Sequence, residues 1–256
     1  MMRFAAILLL LGEFAAASAP ERISFRRPDG ALLAAEFHPA AGDAPGPAVL
    51  LLHQAGSNRR EWDFLLEELR GLGVAALALD LRGHGESTPP AEDEAFYRRL
   101  FTDPDFAPPD VEAALAWLRA REGVDSARLA VVGASVGANL AFAAAGAPWG
   151  PKTTVALSGN HKNANLLAGR IDGFAPKNVF VLAADEDPGR EASAKALFAQ
   201  TGGKRRIEIL SGSHAHGVAV LHESPALRGA VLNWLRVGLT ERKAGDKRGS
   251  RPVQSR

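Results

Sequence analysis

Cysteine is absent from all 256 residues, and that one lack removes thiol catalysis, thiolate metal sites, disulfides and a lipid-carrying N-terminal cysteine. Any nucleophile has to come from another side chain. Excess charge is missing too. The chain holds 30 lysines and arginines against 29 aspartates and glutamates, a formal net charge of +1, so no overall field draws it to nucleic acid or to an anionic membrane surface. The expected partner is a small molecule. No apolar run approaches the ~20 residues that span a bilayer, and there is neither an internal repeat nor a stretch long enough for a large separate lid domain. What is present is a 46% apolar composition in a chain long enough to bury one large core. One domain over residues 20–240 is therefore expected.

The two ends read differently from this body. Met1-Met2-Arg3 followed by Phe4 to Leu11 has the form of a short basic region and an apolar region, and small residues follow at Ala15 to Ala19. Residues 1–19 are expected to be a signal peptide, cleaved after Ala17 or Ala19, that exports the protein to a periplasm or beyond. Glu13 interrupts the pattern, and Pro20 disfavours the second cleavage site. At the other end, residues 241–256 are polar, basic and aperiodic, which reads as a disordered, solvated tail.

Between the ends, strand and helix patterns alternate. Ile23 to Arg26 and Ala31 to His38, joined by Pro28-Asp29-Gly30, predict an antiparallel hairpin at a sheet edge. Unbroken apolar runs at Pro47 to Leu52 and Val74 to Leu79 suit strands covered on both faces, and Leu129 to Val132, Thr153 to Leu157 and Val179 to Ala183 are further strand candidates. Ile207 to Leu210 is the last strand candidate. Helical patterns fall at Glu61 to Leu72, Asp110 to Arg121, Val136 to Ala145, Glu191 to Gln200 and Ala226 to Val237. Strictly alternating elements imply a mostly parallel sheet, of about eight strands, with helices on both faces. Glu86 to Pro109 is rich in proline and charge, and is expected to lie above the sheet as a loop or short helix, lining a pocket.

Gly133-Ala134-Ser135-Val136-Gly137 sits directly after one apolar strand and directly before an alanine-rich helix, the setting of a nucleophile elbow. A serine on so sharp a turn needs residues without bulk two positions away on each side, and the glycines provide them. The helix starting there points its first amides and the positive end of its dipole toward any oxyanion formed at Ser135. Serine is a poor nucleophile without a base, and the base needs an acid to orient it. His214 and His216 lie in the loop after the last strand, and Asp185, Glu186 and Asp187 follow the strand ending near Ala183. Serine, then acid, then histidine is the chain order used by one large fold.

On these residues the chain resembles the α/β-hydrolases of the dienelactone-hydrolase-like or small bacterial esterase type, over nearly all of Ile23 to Val237. Two further segments are similar to the family's loops: Leu51-Leu52-His53-Gln54-Ala55-Gly56 after the third strand, and Asp80-Leu81-Arg82-Gly83-His84-Gly85-Glu86-Ser87 after the fourth. The resemblance implies a catalytic triad of Ser135, His216 and Asp187. His216 is favoured over His214 by the glycine that follows it, and Asp187 over its acidic neighbours by its spacing from Ala184. It also implies an oxyanion hole built from the Val136 amide and the amide of Ala55, with Gln54 as the alternative. No metal or organic cofactor is called for. Dienelactone hydrolase itself uses a cysteine nucleophile, so the serine favours simple ester chemistry on a small acyl substrate. The alternatives are an acyltransferase or peptidase using the same triad, and a binding member of the fold. His53 and His84 read as turn residues shaping backbone geometry, and His161 as a solvated or pocket-rim residue.

Overall fold

The computed structural model describes residues 19–42, 45–89, 93–169 and 171–240. The leader and the basic tail expected from the sequence lie outside these residues, apart from Ala19.

The chain opens with the hairpin β1 (Glu21–Arg26) and β2 (Leu32–His38). Its turn is held by the Asp29 carboxylate accepting the Ala31 N–H at 3.2 Å, with Gly30 at φ +88°, where a side chain would be strained. Then follow β3 (Gly46–Leu52), a 3₁₀ turn (Arg59–Trp62), α1 (Asp63–Gly71), β4 (Ala75–Leu79), α2 (Glu94–Thr102) and α3 (Pro108–Ala120). The second half runs β5 (Val124–Ala134), α4 (Val136–Ala145), β6 (Thr153–Leu157), α5 (His161–Leu167), β7 (Lys177–Ala184), α6 (Arg190–Gln200), β8 (Gly202–Leu210), α7 (Ala219–Glu223) and α8 (Pro225–Thr240).

All eight strands form one sheet in the order β1-β2-β4-β3-β5-β6-β7-β8. Only β2 runs against the others: it pairs antiparallel with both β1 and β4, and every remaining pairing is parallel. Strand alternation assigns the two core layers. Leu50 and Leu52 point to one face, where they meet Val111, Leu115 and Leu118 of α3 and Leu140 of α4. Val49 and Leu51 point to the other, where Leu65 and Leu69 of α1 and Val231, Leu235 and Leu239 of α8 cover them. Every residue of β4, β6 and α4 is buried. For α4 the reason is legible in Val136-Gly137-Ala138 and Ala143-Ala144-Ala145: residues this small let the helix sink onto the sheet, and its one polar side chain, Asn139, is buried with its Oδ1 accepting the Asn160 N–H at 2.7 Å.

The structure extends some elements beyond their sequence signals. β8 begins at Gly202, and its first half is exposed, since it is the last strand of the sheet and has no apolar pattern there. The stretch 86–109 contains α2, capped by the Asp93 carboxylate accepting the Phe96 N–H at 2.7 Å. The short helices α5 and α7 had no sequence pattern. Among the described residues no helix is long and apolar enough to cross a membrane.

The strand order decides where a ligand can sit. From β3 the chain goes to β4 on one side, then returns past β3 to β5 on the other. At such a reversal the loops leaving the carboxyl ends of adjacent strands diverge and open a crevice. The β3 loop carries Gln54 and Ala55, and the β5 turn carries Ser135.

Candidate active site

Ser135 has φ 53° and ψ −111°, a backbone conformation that non-glycine residues rarely adopt. The flanking glycines make it possible. A Cβ on Gly133 would lie 2.0 Å from the Gly137 carbonyl oxygen, and one on Gly137 would lie 2.2 Å from the Leu52 carbonyl oxygen. The Ser135 N–H donates to Leu157 O of β6 at 2.8 Å, which ties the turn across the sheet. Val136 is the first residue of α4, and among the described residues its N–H has no acceptor, as expected for the first turn of a helix.

Across from this turn the β3 loop is held by His53, which is fully buried. Its Nε2 accepts the Leu81 N–H at 2.9 Å, so its proton sits on Nδ1, which donates to the Gln54 carbonyl at 2.7 Å. Burial pushes its pKa down to about 4, so the ring is neutral. Holding the Gln54 carbonyl fixes the peptide plane whose other end is the Ala55 N–H, and that N–H has no acceptor among the described residues. The Gln54 N–H is directed at Glu61 Oε2, 3.3 Å away. Of the two amides expected at an oxyanion hole from this loop, Gln54's is thus engaged and Ala55's is free.

His53 leans on the turn after β4, which is locked by charge. The buried Asp80 accepts the Arg59 N–H at 2.7 Å and the Glu86 N–H at 2.8 Å, and pairs with the Arg59 guanidinium. Gly85 is required because a Cβ there would fall 2.2 Å from an Asp80 oxygen. Arg82 grips Asp110 of α3 with two bonds, of 2.6 and 2.7 Å. His84 donates from Nδ1 to Arg82 O at 3.0 Å, its ring 5.2 Å from that of His53. Both histidines thus shape backbone, as their turn motifs suggest.

The three consecutive acids after β7 take three different partners. Asp185 accepts the Gly212 and Ser213 amides at 3.1 and 3.3 Å, and these bonds hold its pKa below the ordinary value. Glu186 pairs with His214 at 2.9 Å, and both are exposed. Asp187 is buried, and its Oδ2 lies 2.7 Å from His216 Nδ1. His216 is brought to the elbow by Gly217, whose N–H donates to the buried Ser158 hydroxyl at 3.0 Å. A Cβ on Gly217 would stand 3.4 Å from that of Ala134, the residue before Ser135. His161 is drawn aside, with Nδ1 3.2 Å from the Ser193 hydroxyl.

Two contributors escaped the sequence. Ser158, at φ 54°, is one: it follows β6 and holds the His216 loop. A strained serine after an apolar strand leaves no sequence mark that separates it from an ordinary turn. Glu61 is the other. An acid opening a helix is ordinary dipole complementation, and here that pattern conceals a carboxylate turned into the protein, its Oε2 3.3 Å from the Gln54 N and its Oε1 buried. Burial raises its pKa, while the Ser57 hydroxyl, the Gln54 amide and His216 act in the opposite direction.

Among the described residues no cluster of three or more His, Asp or Glu side chains is disposed to hold a metal. A cavity of about 100 Å³ at the starts of β6 and β7, lined by Thr153, Asn178 and Trp234, lies at the opposite end of the strands from Ser135.

The model of the α/β-hydrolase fold family matches residues 47–152, from β3 to the residue before β6. Among solved structures, dienelactone hydrolase from Anabaena variabilis superposes with a TM-score of 0.61 at 21% identity, covering 85% of this chain and 96% of that one. The chain has the α/β-hydrolase fold. Other α/β-hydrolase structures agree. Acetyl xylan esterase from Paenibacillus sp. R4 gives 0.68 at 19% identity over 89% of this chain and 86% of that one, and a Pyrococcus furiosus esterase gives 0.66 at 16% over 86% and 93%. In sequence, the chain is 31% identical over 113 residues to an uncharacterized protein of Mycobacterium tuberculosis, a match to 44% of this chain. The aligned stretch spans about a third of that relative's length, 36%.

Proposed function

We propose that this α/β-hydrolase cleaves carboxylic esters or related acyl bonds, with Ser135 as nucleophile, His216 as base and Asp187 as its orienting acid. The observation that carries the reading is the 2.7 Å bond between Asp187 and His216 Nδ1, in a loop anchored beside the Ser135 turn through Gly217. With Nδ1–H donated to Asp187, the other ring nitrogen is the unprotonated one and can accept the serine proton.

In this mechanism Ser135 Oγ attacks the acyl carbon while its proton passes to His216 Nε2. The Val136 and Ala55 amides receive the oxyanion. The tetrahedral adduct collapses, the bond to the leaving alcohol breaks, and Nε2 returns the proton to that alcohol. Water then adds to the acyl-enzyme by the same path and releases the acid. The serine nucleophile and the esterase neighbours favour a small carboxylic ester over the lactone of dienelactone hydrolase.

A fluorophosphonate probe tests this, because it labels only an activated serine. Wild-type protein is expected to be labelled and to hydrolyse a series of acyl esters, while Ser135→Ala is expected to do neither with unchanged circular dichroism. A folded wild type that takes no label would falsify the hydrolase reading and leave a binding role. Export through residues 1–19 belongs to the same proposal. Intact-mass measurement of protein recovered from an exporting host should show a chain beginning at Ser18 or Pro20, and a species retaining Met1 to Leu11 would count against it.

A further inference from the structure

The pair Leu157-Ser158, at the carboxyl end of β6, touches every branch of the proposed triad. Leu157 O accepts the Ser135 N–H at 2.8 Å, and the Ser158 N–H donates to Leu182 O at 2.8 Å, on the strand β7 that leads to Asp187. The Ser158 hydroxyl accepts the Gly217 N–H, next to His216, at 3.0 Å. Nucleophile, acid and base follow three different strands, β5, β7 and β8, and this dipeptide is bonded to the turn, strand or loop that carries each. Two of the bonds are made by backbone and survive any substitution but proline. The third, to the loop of the base, is made by a side chain.

That side chain stands on a strained backbone. Ser158 is fully buried and has φ 54°, a conformation that glycine adopts freely and other residues do not. Glycine would keep both backbone bonds, so what serine adds at this position is its hydroxyl. Among the described residues, the hydrogen bond found for that hydroxyl is the one from Gly217. Gly217 in turn is at φ +60°, and a Cβ there would fall 2.1 Å from Gln54 Oε1 and 3.4 Å from the Ala134 Cβ. The His216 loop is thus wedged between the oxyanion loop and the elbow, with Ser158 as its hydrogen-bonded anchor.

We propose that Ser158 is a positioning residue, acting through Gly217, whose hydroxyl sets the distance between His216 and Ser135. This rests on the Ser-His-Asp reading above. Proton transfer from Ser135 Oγ to His216 Nε2 needs the two atoms within hydrogen-bond reach, and a misplacement of about 1 Å is worth about a hundredfold in rate. Without the hydroxyl the buried Gly217 N–H is left unpaired, and the loop shifts toward another acceptor and carries His216 off the elbow. The Asp187 bond still fixes the tautomer. The base keeps its strength and loses its place.

Ser158→Ala and Ser158→Gly form the paired test. Both remove the hydroxyl and only glycine relieves the strain, so stability and turnover should part. The glycine variant should melt at or above the alanine one, while kcat falls about tenfold to a hundredfold in both. KM should hold, and the acidic limb of kcat/KM against pH should stay in place, because the base is displaced and not weakened. Fluorophosphonate should label both variants fully, but more slowly than wild type. Trp234→Phe is the control: it deletes a side-chain bond near the start of the same strand, from Trp234 Nε1 to Thr154 O at 3.2 Å, and should lower Tm without slowing turnover. A Ser158→Gly enzyme that turns over and labels at the wild-type rate overturns the proposal and leaves the serine a brace of the fold. So does a Trp234→Phe enzyme as slow as Ser158→Ala, since loosening β6 anywhere would then suffice. If neither Ser158 variant folds, Ser158→Cys, whose thiol is a weaker acceptor, must lower kcat with KM unchanged, and full wild-type kcat there overturns the proposal equally. A wild type that takes no label overturns the Ser-His-Asp reading and this proposal with it, whereas a labelled wild type beside an undiminished glycine variant overturns this proposal alone.

Discussion

Two histidine-bearing turns face each other across the sheet's crevice, and they are built in opposite ways. His53 is fully buried, has both ring nitrogens spent on backbone groups, and is held neutral with its pKa pushed to about 4. His216 is partly exposed, has the Asp187 carboxylate 2.7 Å from one nitrogen, and keeps its other nitrogen free of any bond within the described residues. The first ring is scaffold because every atom able to do chemistry is consumed. The second is available because only one of its nitrogens is engaged, by the Asp187 carboxylate. Between them the Ser135 turn is positioned by both loops.

The largest expected effect breaks the reactive side of the comparison. Asp187→Asn should lower kcat by about three to four orders of magnitude, since the imidazolium loses its buried partner and the ring its enforced tautomer. Asp185→Asn and Glu186→Gln, assayed on the same ester, should retain most turnover. If Asp185→Asn were instead the crippled enzyme, the acid would have been misassigned despite the 2.7 Å bond at Asp187.

Next comes the scaffold side. His53→Ala orphans the Leu81 N–H and the Gln54 carbonyl and frees the Ala55 peptide plane to turn. It should cost roughly 2–4 kcal/mol of stability and about tenfold in kcat, a fraction of the ~10²–10³ that follows loss of a whole oxyanion donor. Chemical denaturation with parallel kinetics reads both. A variant that is destabilised yet fully active would show that His53 supports only the fold.

A subtler effect is in pH. Because His53 stays neutral in the fold down to about 4 while an unfolded histidine protonates near 6.5, acidification through that window loads protons only onto the unfolded chain. Its contribution is therefore complete above about 6.5 and is lost as pH falls toward 4, amounting to roughly 3 kcal/mol. His38, also lowered by burial, adds in the same direction. Stability measured between these limits should decline less steeply in His53→Ala than in wild type, and parallel slopes would contradict the neutral ring.

The smallest change is expected from His214→Ala. That ring is exposed and bound to Glu186 alone, so turnover should change less than twofold. A large loss would move the base from His216 to its neighbour.

Much of this was legible in the chain. Unbroken apolar runs betray strands covered on both faces, and Thr153 to Leu157 and Val136 to Ala145 match β6 and α4 residue for residue. Gly133 and Gly137 mark the sharp turn because a Cβ at either collides with backbone. Local pattern is weaker where an element is short or lies at an edge: α5, α7 and the exposed half of β8 carry no apolar period to read.

What the sequence by itself determined is the class of fold and the short list of candidates, because burial imposes periodicity and a strained turn imposes small residues, and both are local constraints. Only the tertiary structure divided Asp185, Glu186 and Asp187 among three tasks, and gave the Gln54 amide to Glu61 while leaving Ala55's free. Those outcomes depend on which loop the strand order sets beside which, and a carboxylate's charge acts on whatever the fold brings within a few ångströms, however far apart the two residues lie in the chain.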